Sequence, residues 1–206
     1  MALLSNLAAC DFGYISAKKL MDNISETFKT MEELPRYHGH FYNWYDTQSL
    51  HPLNPHYIST ADSGNLTGSL IVLSVGFAEL VNRPIVPEKW LQSLGDTSQI
   101  LLDELHTELK KKQQLTDDDN FAHIQKTVSE QIKSLKSECT TLPDINDGLS
   151  AFVLVISELE GLVPKDSEVY FWICALRNQC EDIQNDIVYM APWLEVNYYR
   201  LKGGSL

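Results

Sequence analysis

The sequence predicts an all-α fold, and three observations predict it. Apolar residues recur at spacings of three and four along most of the chain, convincing period-two runs are absent, and the interruptions fall at Gly and Pro. The 206 residues, 44% hydrophobic and 21% charged, supply a real core, and we expect a single all-α domain over residues 1–206.

About eight helices with antiparallel connections are expected from these spacings. Residues 1–11 set Leu3, Leu4, Leu7 and Ala8 on one face, with Gly13 just past the end. Ser16 is the expected N-cap of a second helix carrying Leu20, Ile24, Phe28, Met31 and Leu34, and Pro35 ends it. Residues 35–61 then read as an irregular aromatic and His-rich loop, too long for a simple connection. Asp62 is the expected cap of a third helix. Its Leu66, Leu70, Ile71, Val72, Leu73, Val75 and Phe77 leave almost no polar face, which predicts burial. Gly64, Gly68 and Gly76 share one side of it and predict close approach of a neighbouring helix.

Pro87 opens a short helix through Trp90, Leu91 and Leu94, interrupted at Gly95. Asp96 caps the next, which uses Leu101, Leu102, Leu105 and Leu109 and ends in Lys110-Lys111-Lys112, cations where the helix dipole favours them. An acidic turn at Thr116–Asn120 leads into a helix with Phe121, Ile124, Val128, Ile132 and Leu135. Leu142-Pro143-Asp144 starts a connection into Leu149, Phe152, Val153, Ile156 and Leu159, stopped by Gly161 and Pro164. Ser167 caps the last clear helix, with Trp172, Leu176, Ile183, Ile187 and Met190, and Pro192 ends it. Residues 195–206 form a tail whose Gly203-Gly204 frays.

The formal charge of −12 and a pI near 4.8 give a surface unsuited to phosphate backbones, so we expect no nucleic-acid partner. No stretch reaches the roughly 18 apolar residues that span a bilayer, and the chain itself reads as soluble. Cys10, Cys139, Cys174 and Cys180 include no CxxC pair and sit in apolar-periodic segments, so they read as reduced thiols in a cytosol-facing chain. Leu7-Ala8-Ala9-Cys10 has the small residues of a lipoprotein cleavage site but lacks a basic n-region and an apolar run, and reads as helix. The sequons Asn23-Ile24-Ser25 and Asn65-Leu66-Thr67 fall in expected helices and read as chance.

The informative segment runs from Tyr37 to Tyr57. It gathers Tyr37, Phe41, Tyr42, Trp44, Tyr45 and Tyr57 with His38, His40, His51 and His56, and Asn43 and Asp46 lie among them. Ser59, Asp62, Ser63 and Asn65 follow at the next helix start. Rings plus short polar groups suit a ligand surface, and the set Trp44, Tyr45 and Asp46 suits a sugar: C–H faces on aromatics, hydroxyls on Asp, Asn and His. A structural aromatic plug closing a helical bundle fits the same residues. A metal site through His38, His40, Asp46 and His51 is a further reading, but the spacing matches no strong zinc pattern, and no metal or other cofactor is expected. There is no G-x-S-x-G and no cysteine in an electropositive setting. Asp46 and Asp62 are the carboxylates available to glycoside chemistry here, which needs two of them roughly 5–10 Å apart.

The run His38-Gly39-His40-Phe41-Tyr42-Asn43-Trp44-Tyr45-Asp46-Thr47, followed by Pro55-His56-Tyr57-Ile58-Ser59-Thr60-Ala61-Asp62-Ser63-Gly64-Asn65-Leu66, resembles a stretch of the cyclic β-1,2-glucan synthases, the NdvB type. There the pattern is approximately G-H-F-x-N-W-Y-D-T and Y-V-S-T-V-D-S-G-N-L-A-G, from which Ala61 and Thr67 depart. Leu3–Tyr14, Trp172–Cys180 and Ala191-Pro192-Trp193-Leu194 resemble the flanking segments, so the resemblance covers most of the chain. It implies a piece of a very large inner-membrane glycosyltransferase, from the N-terminal part of its central glycosidase-like (α/α)6 barrel, lying on the cytoplasmic side. The helical-hairpin array would then be an incomplete barrel. The family's catalytic carboxylates lie in segments beyond these, so no catalytic residue is assigned and the isolated chain is expected to be inactive. His40, Asn43, Trp44, Tyr45, Asp46, Ser59, Asp62, Ser63 and Asn65 would bind β-1,2-glucan. The remainder of the parent polypeptide is an implied partner, and uncovered helices would pair two copies as a homodimer. The alternative is a non-catalytic helical interaction module.

Overall fold

Helix after helix carries the described residues: α1 (Ala2–Asp11), α2 (Ala17–Glu33), α3 (Thr60–Leu80), α4 (Glu88–Lys111), α5 (Asp118–Ser137), α6 (Leu142–Glu160) and α7 (Glu168–Met190). Between α2 and α3 stand two short strands, β1 (Arg36–Tyr37) and β2 (His40–Phe41). The computed structural model describes residues 2–111, 118–137, 141–161 and 163–194. The predicted all-α class holds, and the end of the Lys110–Lys112 run, the start of the Thr116–Asn120 turn, Cys139 and the 195–206 tail lie outside the described residues.

Several ends follow the local chemistry read from the sequence. Ser167 Oγ accepts from the Tyr170 N–H at 3.1 Å to start α7, Gly161 follows α6, and Gly13 takes φ +85° after α1. Others differ. The cap of α3 is Ser59, whose Oγ accepts from the Asp62 N–H at 3.1 Å, so Asp62 is a first-turn residue and not the cap. Leu142-Pro143-Asp144 is the first turn of α6 and not a connection, because Thr141 and Asp144 form a reciprocal capping box.

The two helices expected around Gly95 are one continuous helix, α4, which gives seven helices among the described residues where about eight are expected. A glycine inside a helix costs about 1 kcal/mol but does not force an end. Here its missing side chain leaves room for α5: a Cβ on Gly95 would lie 3.6 Å from Lys136 Nζ and 4.0 Å from Ile132 Cγ2. Asp96 is therefore an exposed mid-helix residue with no cap to make.

The described residues form two compact units, one of Met1–Cys10 and Lys19–Arg83, the other of Asp11–Lys18 and Pro84–Leu206. In the second, α4, α5, α6 and α7 are neighbours in a closed cycle, α4 touching α5 and α7, and α6 touching the same two. Leu94 and Leu101 of α4, Val128 and Leu135 of α5, Leu149, Phe152 and Ile156 of α6, and Ile173, Leu176 and Ile187 of α7 fill the centre and are essentially dry. Each of these four helices thus buries an apolar stripe.

The segment Asp11–Lys18 docks on that bundle through polar groups. Ser93 Oγ donates to the Gly13 carbonyl at 2.6 Å, Gln179 Nε2 donates to Ser93 Oγ at 2.7 Å, and Thr97 Oγ1 donates to Gln179 Oε1 at 2.9 Å. All three side chains are buried, and each is satisfied. Asp186 of α7, fully buried, accepts from the backbone N–H groups of Ala17 and Lys18, both at 2.9 Å. The Asp186 carboxylate thus adds an acceptor for the Ala17 and Lys18 N–H groups, directly after Ser16, the expected N-cap.

In the first unit, Leu3, Cys10, Leu20, Ile24 and Leu73 are buried. Asn23 Nδ2 donates to Asn6 Oδ1 at 2.7 Å, joining α2 to α1. The predicted burial of α3 is not found: of its described residues only Leu73 is buried, and Ile71 is 62% exposed. An apolar sequence demands cover but does not supply it, and the described packing reaches one side of this helix. The glycine stripe divides likewise. A Cβ on Gly76 would come within 2.6 Å of the Leu7 side chain, whereas Gly64 and Gly68 have nothing within 4 Å. The same substitution therefore has opposite signs at two positions. Gly68→Ala is expected to stabilise by about 0.4–1 kcal/mol, by restricting the unfolded chain. Gly76→Ala is expected to destabilise by about 1 kcal/mol, the low end of overpacking, because the Leu7 tip it meets can move aside in part. Urea denaturation of both variants checks this, and equal shifts of one sign would refute the α1–α3 approach.

Cys10, Cys174 and Cys180 form no disulfide among the described residues, and burial, with Glu181 beside it, pushes the Cys180 thiol up to about 12. No helix among the described residues is long and apolar enough to cross a membrane.

Candidate functional site

The loop between α2 and α3 is ordered by its own side chains. His38 and Gly39 both have positive φ, 48° and 86°, and form the two-residue turn between β1 and β2, with Tyr37 opposite His40 and Arg36 opposite Phe41. Paired positive φ values are what a two-residue hairpin needs to match strand twist, and glycine supplies one of them freely. The Arg36 guanidinium lies 4.5 Å from the Phe41 ring centre.

Three of the expected site residues then order this segment, and two of them, Asn43 and His40, tie it to the start of α3. Tyr45 Oη donates to the Pro35 carbonyl and accepts from the Tyr42 N–H, both at 2.8 Å. Asn43 Nδ2 donates to Asp62 Oδ2 at 2.9 Å, while its Oδ1 accepts from the Ser59 N–H at 2.9 Å. His40 Nδ1 is 3.0 Å from Ser63 Oγ, and that hydroxyl is also 3.0 Å from the Ser59 carbonyl. One hydroxyl proton cannot serve both, so with Ser63 donating to the carbonyl, His40 donates from Nδ1.

These residues enclose a groove of about 520 Å³. His40, Asn43, Tyr45, Asp62 and Ser63 give it a polar wall, and Met31, Leu34, Phe41, Tyr42, Leu66 and Leu70 give it an apolar one. Of the nine expected residues the structure brings these five together. Trp44, Asp46, Ser59 and Asn65 do not line the groove. Trp44 stacks on Tyr57, ring centres 6.1 Å apart and planes at 27°, and the two are 56% and 54% exposed. Ser59 is spent on the α3 cap, and Asn65 is exposed on α3.

Asp46 organises the loop beyond Trp44. Its Oδ1 accepts from the Ser49 N–H at 2.7 Å, the Ser49 hydroxyl at 2.8 Å and the Gln48 N–H at 3.1 Å. The Ser49 N–H first, then its hydroxyl and the Gln48 N–H, hold this carboxyl below the usual range. A carboxyl kept ionised is a poor proton donor, so Asp46 is not built for general acid work. His38, His40, Asp46 and His51 do not converge: no group of three or more such side chains able to hold a metal ion occurs among the described residues.

Sequence reasoning missed Leu66, Thr67 and Leu70 as groove residues, although their spacing from Asp62 and Ser63 puts them on the same face of one helix. Met31 and Leu34, expected on the apolar face of the second helix, also line it.

No family model matches the chain. Half of it is similar to a much longer protein, cyclic beta-(1,2)-glucan synthase NdvB of Rhizobium meliloti (strain 1021), with 37% identity over 105 residues. The matched region is 50% of this chain and 4% of that protein, so the chain spans a small fraction of its relative. The resemblance read from the sequence is thus found again by direct comparison.

Proposed function

We propose that this chain is a piece of a cyclic β-1,2-glucan synthase of the NdvB type, that its first unit binds β-1,2-glucan during glycosyl transfer, and that the chain alone is inactive. One observation carries the reading: the groove beside the α3 N-terminus joins apolar rings to a row of short polar side chains, in a chain whose relative is a glucan synthase. Phe41 and Tyr42 offer surface for sugar C–H faces, and His40, Asn43, Asp62 and Ser63 offer donors and acceptors for hydroxyls. The exposure of Trp44 and Tyr57 speaks against a sealed plug and leaves a stacked pair able to receive a further sugar ring. Asp46 lies outside the groove and Asp62 is paired with Asn43, an arrangement that suits holding a ligand.

Titration of the chain with a short linear β-1,2-glucan, followed by calorimetry, tests this. His40→Ala should weaken binding about tenfold, the loss of one good hydrogen-bonding partner. Absence of heat at millimolar glucan, or equal affinity of the variant, would refute the groove as the site.

A further inference from the structure

The second unit carries a cavity of its own, about 380 Å³, lined by Phe12, Tyr14, Lys89, Gln92, Ser93 and Asp96. Two of these rings stand in water, Phe12 at 62% and Tyr14 at 46% exposed. They are nevertheless on a fixed support. Gly13 between them presses on the Lys89–Trp90 peptide, where a Cβ would meet the Lys89 carbonyl oxygen at 2.6 Å, and its own carbonyl is held by buried Ser93. Lys89 Nζ reaches Asp11 at 3.2 Å on the other side. Exposed aromatics on immobile backbone keep their shape before any ligand arrives, which lowers the cost of binding.

The polar lining narrows the ligand. The Tyr14 hydroxyl and the Asp96 carboxylate have no protein partner among the described residues, and the Gln92 amide, which donates to Glu88 at 3.2 Å, stands beside them. An anion would meet Asp96, and a cation would meet Lys89. A neutral, polyhydroxylated ring meets neither objection: its C–H face covers an aromatic while its hydroxyls donate to the carboxylate and exchange hydrogen bonds with amide and phenol.

We infer that this cavity is a second saccharide site, taking a single sugar residue between the Phe12–Gly13–Tyr14 turn and the first turns of α4. The identity of that sugar as a unit of β-1,2-glucan rests on the proposed function; the saccharide chemistry does not. The test uses the full chain, labelled with ¹⁵N and titrated with a short linear β-1,2-glucan, reading the Gly13 backbone and Gln92 side-chain amides for this site and the Asn43 side-chain amide for the groove. Saturable shifts at Gly13 and Gln92 are expected. Tyr14→Ala should weaken the affinity read there about tenfold and leave the Asn43 titration unchanged. Gln92→Ala, a change at an exposed helix position, should weaken it also, which guards against misfolding of the Tyr14 variant. Shifts at Asn43 with none at Gly13 and Gln92 would overturn this site alone. Shifts at Gly13 and Gln92 with none at Asn43 would overturn the groove and keep this site, and silence at all three would overturn both. Shifts that survive both substitutions would also overturn it.

Discussion

Gly13→Ala is expected to be the most damaging of the single-methyl changes, costing about 2–5 kcal/mol. Two independent terms add. Alanine at φ +85° pays about 1–2 kcal/mol for the left-handed backbone. Its methyl would then stand 2.6 Å from the Lys89 oxygen and 2.7 Å from the Lys89 carbon. Those are backbone atoms of a helix, unlike the flexible Leu7 tip opposite Gly76, so relief requires moving the turn and overpacking costs about 1–3 kcal/mol. Displacing the turn also loosens the Ser93 bond to the Gly13 carbonyl and, through it, Gln179. Thermal denaturation followed by circular dichroism measures the loss. A stability within about 0.5 kcal/mol of the parent, the range of ordinary surface changes, would show that the turn is not held as described.

Asp186→Ala is expected to cost about 2–4 kcal/mol, because the half-buried N–H groups of Ala17 and Lys18 both lose their acceptor. Asp186→Asn keeps one oxygen and should fall between parent and Ala. The pH dependence separates this account from mere loss of volume. Desolvation raises the folded-state pKa of Asp186, with the Lys18 N–H, the Ser16 hydroxyl and the Ala17 N–H opposing it only in part. A carboxyl whose pKa is higher folded than unfolded binds its proton more readily in the native state. Its burial penalty is complete above the folded pKa and relieved as pH falls toward the ordinary carboxylate value. The parent should therefore gain stability relative to Asp186→Asn between neutral pH and about pH 4. Denaturant midpoints of the two proteins across that range decide it, and a constant difference would refute the assignment.

What the sequence made legible was whatever is local. The spacing of Leu149, Phe152 and Ile156, or of Ile173, Leu176 and Ile187, needs nothing beyond one helix to be read, and those residues are the core. Ser167 and Gly161 mark ends for equally local reasons. The cap supplied by Asp186 was illegible, since its partners lie 168 and 169 positions away and nothing near Ala17 announces them. The hairpin escaped because strands of two residues are too short for alternation to register; only the His38-Gly39 pair hinted at it. Gly95 misled because a glycine that ends a helix and one that admits a neighbour look alike in one chain. At the candidate site, composition singled out the loop but could not divide its polar residues between work for the fold and work for a ligand. Asp46 and Ser59 serve the chain, while His40, Asn43, Asp62 and Ser63 line a cavity.

The order of segments has a practical reach. Asp11–Lys18 goes with the later helices although the residues before and after it go with the earlier ones. No single scission parts the halves cleanly. A polypeptide started at Pro84 would carry Ser93 and Asp186 with their acceptor and donors left behind, and would need that short peptide grafted on or added in trans. Recombination that imported the later half alone into another gene would meet the same gap.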